Sequence, residues 1–283
     1  MKRYRIYIIL FLLGIALYTW SRVIVVAPEN SGIKVVFMDV GQGDATLVLM
    51  PGGKQLLIDG GPDDSVLQNL GKYMPLFDNE IETVILTHPH ADHLTGLNKV
   101  LQKYKVGAVY EGKGVSTSAT FKRWKEELKS KKIDDTVVSA DQEIKLGDSI
   151  NFSVLAAGIS ENQNNASVVG KLKYNHTVFM MTGDAEVEEQ TPLCALSSDK
   201  LKSDVLKVAH HGSSNGSVKC FLEKVAPNYA VISVGKGNTY GHPHAVALKL
   251  ISQFSKYILR TDQLGSVTCK SDGSKVECNG VKG

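Results

Sequence analysis

The sequence predicts an α/β fold in which two successive sets of strands, each with helices, follow one apolar N-terminal segment. Three observations carry this reading. Short β-branched and aliphatic runs alternate with helical periodicity from residue 33 onward. Several of these runs end abruptly in histidines and carboxylates, as strands do when they converge on one edge of a layered sheet. The 283 residues, 43% of them hydrophobic, are enough for one α/β domain of about 200 to 250 residues behind a leader.

The leader comes first. Lys2, Arg3 and Arg5 precede an apolar run at 6–20, which 23–27 extend after an interruption at Arg22. This is the pattern of a targeting segment and, counted to Ala27, it approaches the roughly 20 residues that span a bilayer. Tyr18 and Trp20 suit an interface, and Arg22 is able to snorkel. Cleavage after Ala27 would leave Pro28 next to the cut, and a residue without an N–H docks poorly as an extended substrate, which favours an uncleaved anchor over a removed signal. Basic residues ahead of the segment orient the N-terminus to the cytoplasm. The domain at 28–283 then lies on the outer face of the cytoplasmic membrane, or is secreted if the segment is removed.

Strands are expected at 33–40, 46–50 and 54–59, broken by Gly-Gln-Gly and Pro-Gly-Gly turns. A helix over 64–73 leads to a strand at 83–86, then a helix over 94–104, a strand at 106–110 and a helix over 117–131. The second half has strand-rich sections at 143–157 and 167–182, then strands at 204–209 and 229–234, each followed by a helix. No fixed period marks a repeat array.

The 32 basic and 29 acidic residues include Lys2, Arg3, Arg5 and Arg22 of the leader; without these the balance is 28 to 29. Such a domain does not coat duplex DNA through phosphate neutralisation. The helix over 117–131 and the residue after it carry Lys122, Arg123, Lys125, Lys129, Lys131 and Lys132 against Glu126 and Glu127, read first as a solvated face and second as a nucleic-acid patch. The four cysteines fit an exported domain. A four-residue loop at 272–275 would set Cys269 opposite Cys278 within disulfide reach, whereas a two-residue Asp272-Gly273 turn would offset them. Cys194 and Cys220 lie in helical stretches and read as buried, inert thiols.

The chemistry concentrates where strands end. After the apolar run 83–86 come His88, His90, Asp92 and His93 on one turn, and imidazole and carboxylate are ligands that zinc, manganese and iron accept. His88 and His90 can reach one ion while Asp92 and His93 reach a second. The run 178–181 ends in Thr182-Gly183-Asp184, and 205–209 ends in His210-His211-Gly212-Ser213-Ser214. A third, 231–234, leads into Gly-Lys-Gly-Asn-Thr-Tyr-Gly-His-Pro-His, with Asn238, Tyr240, His242 and His244. Only His176 of the eight histidines stands outside these clusters, a partition that histidines scattered through a core do not give.

H-x-H-x-D-H at a strand end, then Gly-Asp, then His-Gly, resembles the metallo-β-lactamase superfamily. More narrowly, FMDVGQGDA, LLIDGG, LTHPHADHLTGL, NNASVV, MMTGDAE, VLKVAHHGSS and ISVGKGNTYGHPH together resemble the metallo-hydrolase domain of the ComEC competence DNA-uptake family, without its multi-helix membrane channel. The resemblance implies a four-layer αββα sandwich with two divalent ions, Zn or Mn, between the sheets. It implies His88 and His90 on the first ion, Asp92, His93 and His211 on the second, and Asp184 bridging both. One departure is visible: no histidine lies between His93 and His176, where the superfamily usually supplies a first-ion ligand, and Asn164, Asn165 and Ser167 stand there instead. Either His210 completes the first ion or that ion is under-coordinated. Asp44 and Asp59 read as carboxylates orienting imidazoles, or as turn formers beside glycine.

Two cations about 3.5 to 4 Å apart generate a hydroxide nucleophile near neutral pH. Asp92, Asp184 and His242 are then the expected catalytic residues, His242 as the acid for the leaving group. Asn238, Tyr240 and His242 are candidates for holding phosphate oxygens, and Ser213 for contacting phosphate or capping the next helix. The expected activity is a phosphodiesterase or nuclease on single-stranded DNA outside the cytoplasmic membrane. The alternatives are a small phosphodiester substrate, as for phosphorylcholine esterases, or a non-catalytic DNA-uptake binding module, against which the complete second ligand set speaks.

Overall fold

The structure is a computed structural model and describes residues 2–25, 32–158 and 162–281. The cleavage point considered between Ala27 and Pro28 lies outside the described residues. The leader is one helix, α1 (Lys2–Val25). Among the described residues no helix is long and apolar enough to cross a membrane.

The first half alternates as expected: β1 (Ile33–Phe37), β2 (Thr46–Leu49), β3 (Gln55–Ile58), α2 (Ser65–Tyr73), β4 (Glu80–Leu86), α3 (Ala91–Lys103), β5 (Lys105–Glu111), α4 (Ala119–Lys131) and β6 (Asp134–Val137). The second half runs β7 (Glu143–Gly147), β8 (Ile150–Ala157), β9 (Val168–Tyr174), β10 (Thr177–Met181), α5 (Val187–Leu193), α6 (Ser198–Leu201), β11 (Val205–Lys207), α7 (Lys219–Val225), β12 (Tyr229–Ile232), α8 (Ala245–Ile251), β13 (Tyr257–Arg260) and α9 (Thr261–Leu264). The chain then returns to the first sheet with β14 (Ser266–Ser271) and β15 (Val276–Val281). One sheet has the order β15-β14-β1-β2-β3-β4-β5-β6, the other β13-β12-β11-β10-β9-β8-β7.

Alternation along the strands explains the layering. In β1, Val35 and Phe37 face the second sheet while Val36 faces helices; in β3, Leu56 and Ile58 face inward and Leu57 outward. The inner faces meet in one core, where Phe37, Ile58 and Ile85 pack with Phe152, Leu172, Phe179 and Val231. The outer face of the first sheet is covered by α2, α3 and α4, and that of the second by α5 to α8. Four layers, helix-sheet-sheet-helix, result. On α4, Phe121, Trp124 and Leu128 recur at i, i+3 and i+7 and are buried, so the basic residues are left on the far side. Lys125 pairs there with Glu111 and Asp135.

Three expectations need revision. The helix after the histidine-bearing strand starts at Ala91 rather than at 94, so Asp92 and His93 sit in its first turn. The strands β6 and β13 extend the sheets beyond the expected set, while β14 and β15 form the hairpin expected around the 272–275 loop. Cys194 and Cys220 are not inert thiols: they form a disulfide with Cα atoms 5.8 Å apart, joining the end of α5 to α7. Separate helices meet side by side here, which spacing alone does not reveal. The second disulfide, Cys269–Cys278, joins directly opposed residues of β14 and β15 across the four-residue loop.

Candidate metal centre

β3 and β4 run parallel and release their last residues at the same end of the first sheet. Asp59 follows β3 in a left-handed conformation (φ 58°). Its carboxylate accepts from the Thr87 backbone N–H (2.8 Å) and hydroxyl (2.7 Å), and from His93 Nδ1 (2.8 Å). That last bond fixes the ring and leaves Nε2 pointing into the centre. Helix α3 approaches closely because glycine meets glycine: a Cβ on Gly96 would lie 1.8 Å from the Gly60 carbonyl oxygen. Gly60 N–H donates to the His93 carbonyl at 2.7 Å, locking the approach. His88 and His90 leave β4 with Nε2 of the first 3.0 Å from Nδ1 of the second, two imidazole nitrogens converging on one point.

The second sheet supplies the rest. Asp184 follows β10, its N–H donating to Ser167 Oγ (3.1 Å). His210 and His211 follow β11 in consecutive left-handed conformations, φ 49° and 52°, a strain of order 1–3 kcal/mol per residue that marks functional turns. His211 Nδ1 donates to the Ser233 carbonyl (2.9 Å), so Nε2 faces Asp92 Oδ2 (3.3 Å) and Asp184 Oδ2 (3.5 Å). His93 Nε2 lies 3.3 Å from the same Asp184 oxygen.

One ligand atom from each of Asp92, His93, Asp184 and His211 thus falls within 4.8 Å of the others. His93 Nε2 and Asp184 Oδ1 are buried without a hydrogen-bond partner. Two imidazoles, two carboxylates and orphaned buried donor atoms fit a divalent cation. Asp44, Asp59 and His93 also cluster, but a cation already meets that cluster: Lys207 Nζ pairs with Asp44, donates to the Gly183 carbonyl (3.0 Å) and lies 3.7 Å from Asp184 Oδ1.

Electrostatics agree. Burial acts to protonate Asp184, yet His211, His93 and Lys207 hold its carboxyl well below the usual range. Burial acts to deprotonate His211, but Asp184 and Asp44 raise it to about 10. Without an ion, protons on His93 and His211 provide the positive charge that a divalent cation supplies when bound. His88 is the opposite case, pushed well below its ordinary value by burial and then by His93, so its nitrogen is free to ligate.

His210 turns toward Glu186: its Nδ1 lies 3.0 Å from Glu186 Oε1 and its ring 5.5 Å from that of His242, while after burial its charge is among those that lower the pKa of His90. The asparagine segment holds the same carboxylate: Asn164 Nδ2 donates to Glu186 Oε1 (2.8 Å), Asn162 Nδ2 to Oε2 (2.9 Å), and Asn165 Oδ1 accepts from Glu186 N–H (3.0 Å). Ser167 Oγ stands 3.3 Å from His88 Nδ1, behind the ring.

The loop after β12 also departs from expectation. Asn238 braces its own loop, with Oδ1 accepting from Tyr240 and His242 N–H and Nδ2 donating to the Gly235 and His242 carbonyls, so no side-chain group is left over for phosphate. Ser213 is buried and donates to Asn215 Oδ1 (2.7 Å). Tyr240 is exposed and stacks on His242 at 5.7 Å. Burial, then His211 and His210, push His242 down to about 4, so at pH 7 it presents a neutral imidazole.

Lys207 and Glu186 are the residues that sequence reasoning passed over. A lysine inside the apolar run Val-Leu-Lys-Val is itself a signal, because a buried ammonium needs carboxylate partners. Glu186 stood in the Gly-Asp-Ala-Glu motif directly after Asp184.

The chain is 29% identical over 258 residues to ComE operon protein 3 of Bacillus subtilis, covering 83% of this chain and 32% of the relative. It is 27% identical over 248 residues to competence protein ComA of Neisseria gonorrhoeae, covering 85% of this chain and 32% of that one. The chain therefore spans about a third of the length of these relatives, and both fit the ComEC-like motif series. Among solved structures, the metallo-beta-lactamase fold protein YhfI from Bacillus subtilis has a TM-score of 0.56 at 14% identity, covering 88% of this chain and all of that one. A family model described as the metallo-beta-lactamase superfamily matches residues 38–236, and the chain belongs to that superfamily.

Proposed function

We propose that this chain is a dinuclear-metal phosphodiesterase acting on single-stranded DNA on the outer face of the cytoplasmic membrane, with α1 as its anchor. The observation that carries the reading is the position of Asp184. Its carboxylate lies 3.3 Å from His93 Nε2 and 3.5 Å from His211 Nε2, and its N–H is held by Ser167, the residue that backs His88. A carboxylate so placed is suited to serve two ions. Asp92, His93 and His211 would hold one, His88 and His90 the other. When bound, such ions supply Lewis-acid polarisation of a phosphoryl group and activate water for attack.

The chain's own residues do the rest. Asp59 and the Ser233 carbonyl orient His93 and His211, and Lys207 keeps Asp44 and Asp184 ionised. His242, neutral and facing His210 and His211, offers a hydrogen bond to a phosphate oxygen or leaving group rather than a full proton. Tyr240, exposed beside it, offers a stacking surface for a base. The competence-protein relatives favour DNA, two disulfides favour an oxidising compartment, and the exposed apolar side chains over 4–18 of α1 favour attachment to a membrane surface, although no described helix is long and apolar enough to cross it.

The balanced charge of the domain favours a second reading, a small phosphodiester. The discriminating experiment is degradation of end-labelled single-stranded DNA with Mn²⁺ or Zn²⁺, beside an Asp184→Ala control. Metal-dependent cleavage absent from the control is expected. Metal-loaded protein that leaves DNA intact but hydrolyses a chromogenic phosphodiester moves the assignment to the small substrate.

A further inference from the structure

At the end of the first sheet opposite the metal centre, two large apolar side chains stand in solvent. Leu76 is 83% and Phe77 92% exposed, in the loop between α2 and β4, with Phe77 held at φ 69°. Beside them a groove of about 560 Å³ opens between the start of β1, the β2–β3 turn and the β14–β15 loop. Lys34, Lys54, Lys270 and Lys275 line it, against Asp272 and Glu277. Lys34 and Lys72 both lie over the ring of Tyr73, their Nζ atoms 5.0 and 5.4 Å from its centroid. Burial, and after it the neighbouring Lys270, lower the pKa of Lys34. Of the carboxylates here Glu80 pairs with a cation, Lys105; Asp78 and Glu82 accept from Gln55 and Asp272 from Ser274 and Lys275 N–H and keep their charge, as does exposed Glu277.

The covalent path leads to the same end. Eight peptide steps separate Val25, the last residue of α1, from Ile33, the first of β1, a reach of at most about 29 Å. Ile33 pairs with Ser271, and Lys34 with Leu49 and Lys270, so the tether enters at the groove itself. Exposed apolar side chains next to a groove with four lysines and two carboxylates, within such a reach of α1, match an anionic bilayer surface in both chemistry and position.

We propose that this end of the domain rests on an anionic lipid surface, with Leu76 and Phe77 entering the headgroup region and Lys34, Lys54, Lys72, Lys270 and Lys275 meeting lipid phosphates. The proposal rests on the reading of α1 as a membrane anchor. In this pose β1, β3 and β4 stand between membrane and metal centre, and the centre opens away from the bilayer.

The test uses the full chain carrying Phe77→Trp in vesicles with brominated acyl chains, read as the difference from the parent, which holds Trp20 and Trp124. In vesicles containing phosphatidylglycerol the added emission is expected to shift to the blue and lose at least half its intensity. Both effects should vanish in phosphatidylcholine alone, and when the five lysines become glutamine. Emission indifferent to brominated lipid in anionic vesicles overturns the proposal. So does emission that answers to a single-stranded oligonucleotide and not to lipid, which would make the face a nucleic-acid surface. Alkaline carbonate treatment of the parent separates the two readings: release with quenching intact defeats the anchor alone, and retention without quenching defeats the docking face alone.

Discussion

The two sides of the centre are furnished unequally. Around His93 and His211 each ring is held from behind, by Asp59 at 2.8 Å and the Ser233 carbonyl at 2.9 Å, and two carboxylates face the free nitrogens. A buried lysine, Lys207, balances the surrounding charge. Around His88 and His90 only neutral hydroxyls back the first ring, Thr87 at 3.2 Å and Ser167 at 3.3 Å. Where the superfamily usually places a third imidazole, asparagines gather Glu186 and His210 instead. Orientation by a carboxylate raises imidazole basicity and fixes the tautomer, whereas a hydroxyl does this weakly. The difference teaches that the two halves are not equivalent: Asp92, His93, Asp184 and His211 form a pre-oriented, charge-matched nest for a cation, whereas His88 and His90 offer a pair of imidazoles with no carboxylate behind them.

The largest effect should come from the residue common to both sides. Asp184→Ala is expected to lower phosphodiester hydrolysis by about a thousandfold or more and to reduce bound metal, read by steady-state kinetics beside elemental analysis. Lys207→Met attacks only the well-furnished side. It takes the ammonium partner from Asp44 and Asp184 and leaves only His93 and His211 to offset them, and urea unfolding of the metal-free protein should show a loss of roughly 3–5 kcal/mol. A pair of variants then measures the asymmetry itself. Asp59→Asn should weaken metal binding by about 10–100-fold, whereas Ser167→Ala, which removes a neutral partner of His88 together with the acceptor of the Asp184 N–H, should cost only about 1 kcal/mol, close to fivefold. Equal losses would erase the distinction.

Smaller effects sharpen it further. Gly96→Ala pushes α3 away from Gly60 and should destabilise by about 1–3 kcal/mol, with a loss of metal binding through displaced His93. The pH dependence has a definite sign. Because the His211 pKa is raised from 6.5 to about 10, its stabilisation of the metal-free fold is complete below pH 6.5 and is lost as pH rises through about 10. The metal-free unfolding temperature should therefore fall across that window, and the metal-loaded protein should not follow it.

Much of this was written plainly in the chain. Apolar runs ending in His88, Asp184 and His211 marked strands that empty onto one end. Residues whose role is to hold another side chain were harder to see. Asn238 and Ser213 carry groups that suit phosphate, but the backbone and Asn215 take them first, and only three-dimensional placement decides such competition. Cys194 and Cys220 sit 26 residues apart in separate helices, so their pairing depends on how α5 and α7 pack. The left-handed turn at His210 and His211 sends adjacent imidazoles to different partners, which an adjacent pair in sequence does not announce.

The most direct test of the unequal centre is a Zn²⁺ titration of the metal-free protein by calorimetry, repeated on His211→Ala and His88→Ala. Two ions of distinct affinity are expected, the tighter one missing from His211→Ala and the weaker one missing from His88→Ala. Two ions of equal affinity, or a single ion that both variants abolish, would contradict the account.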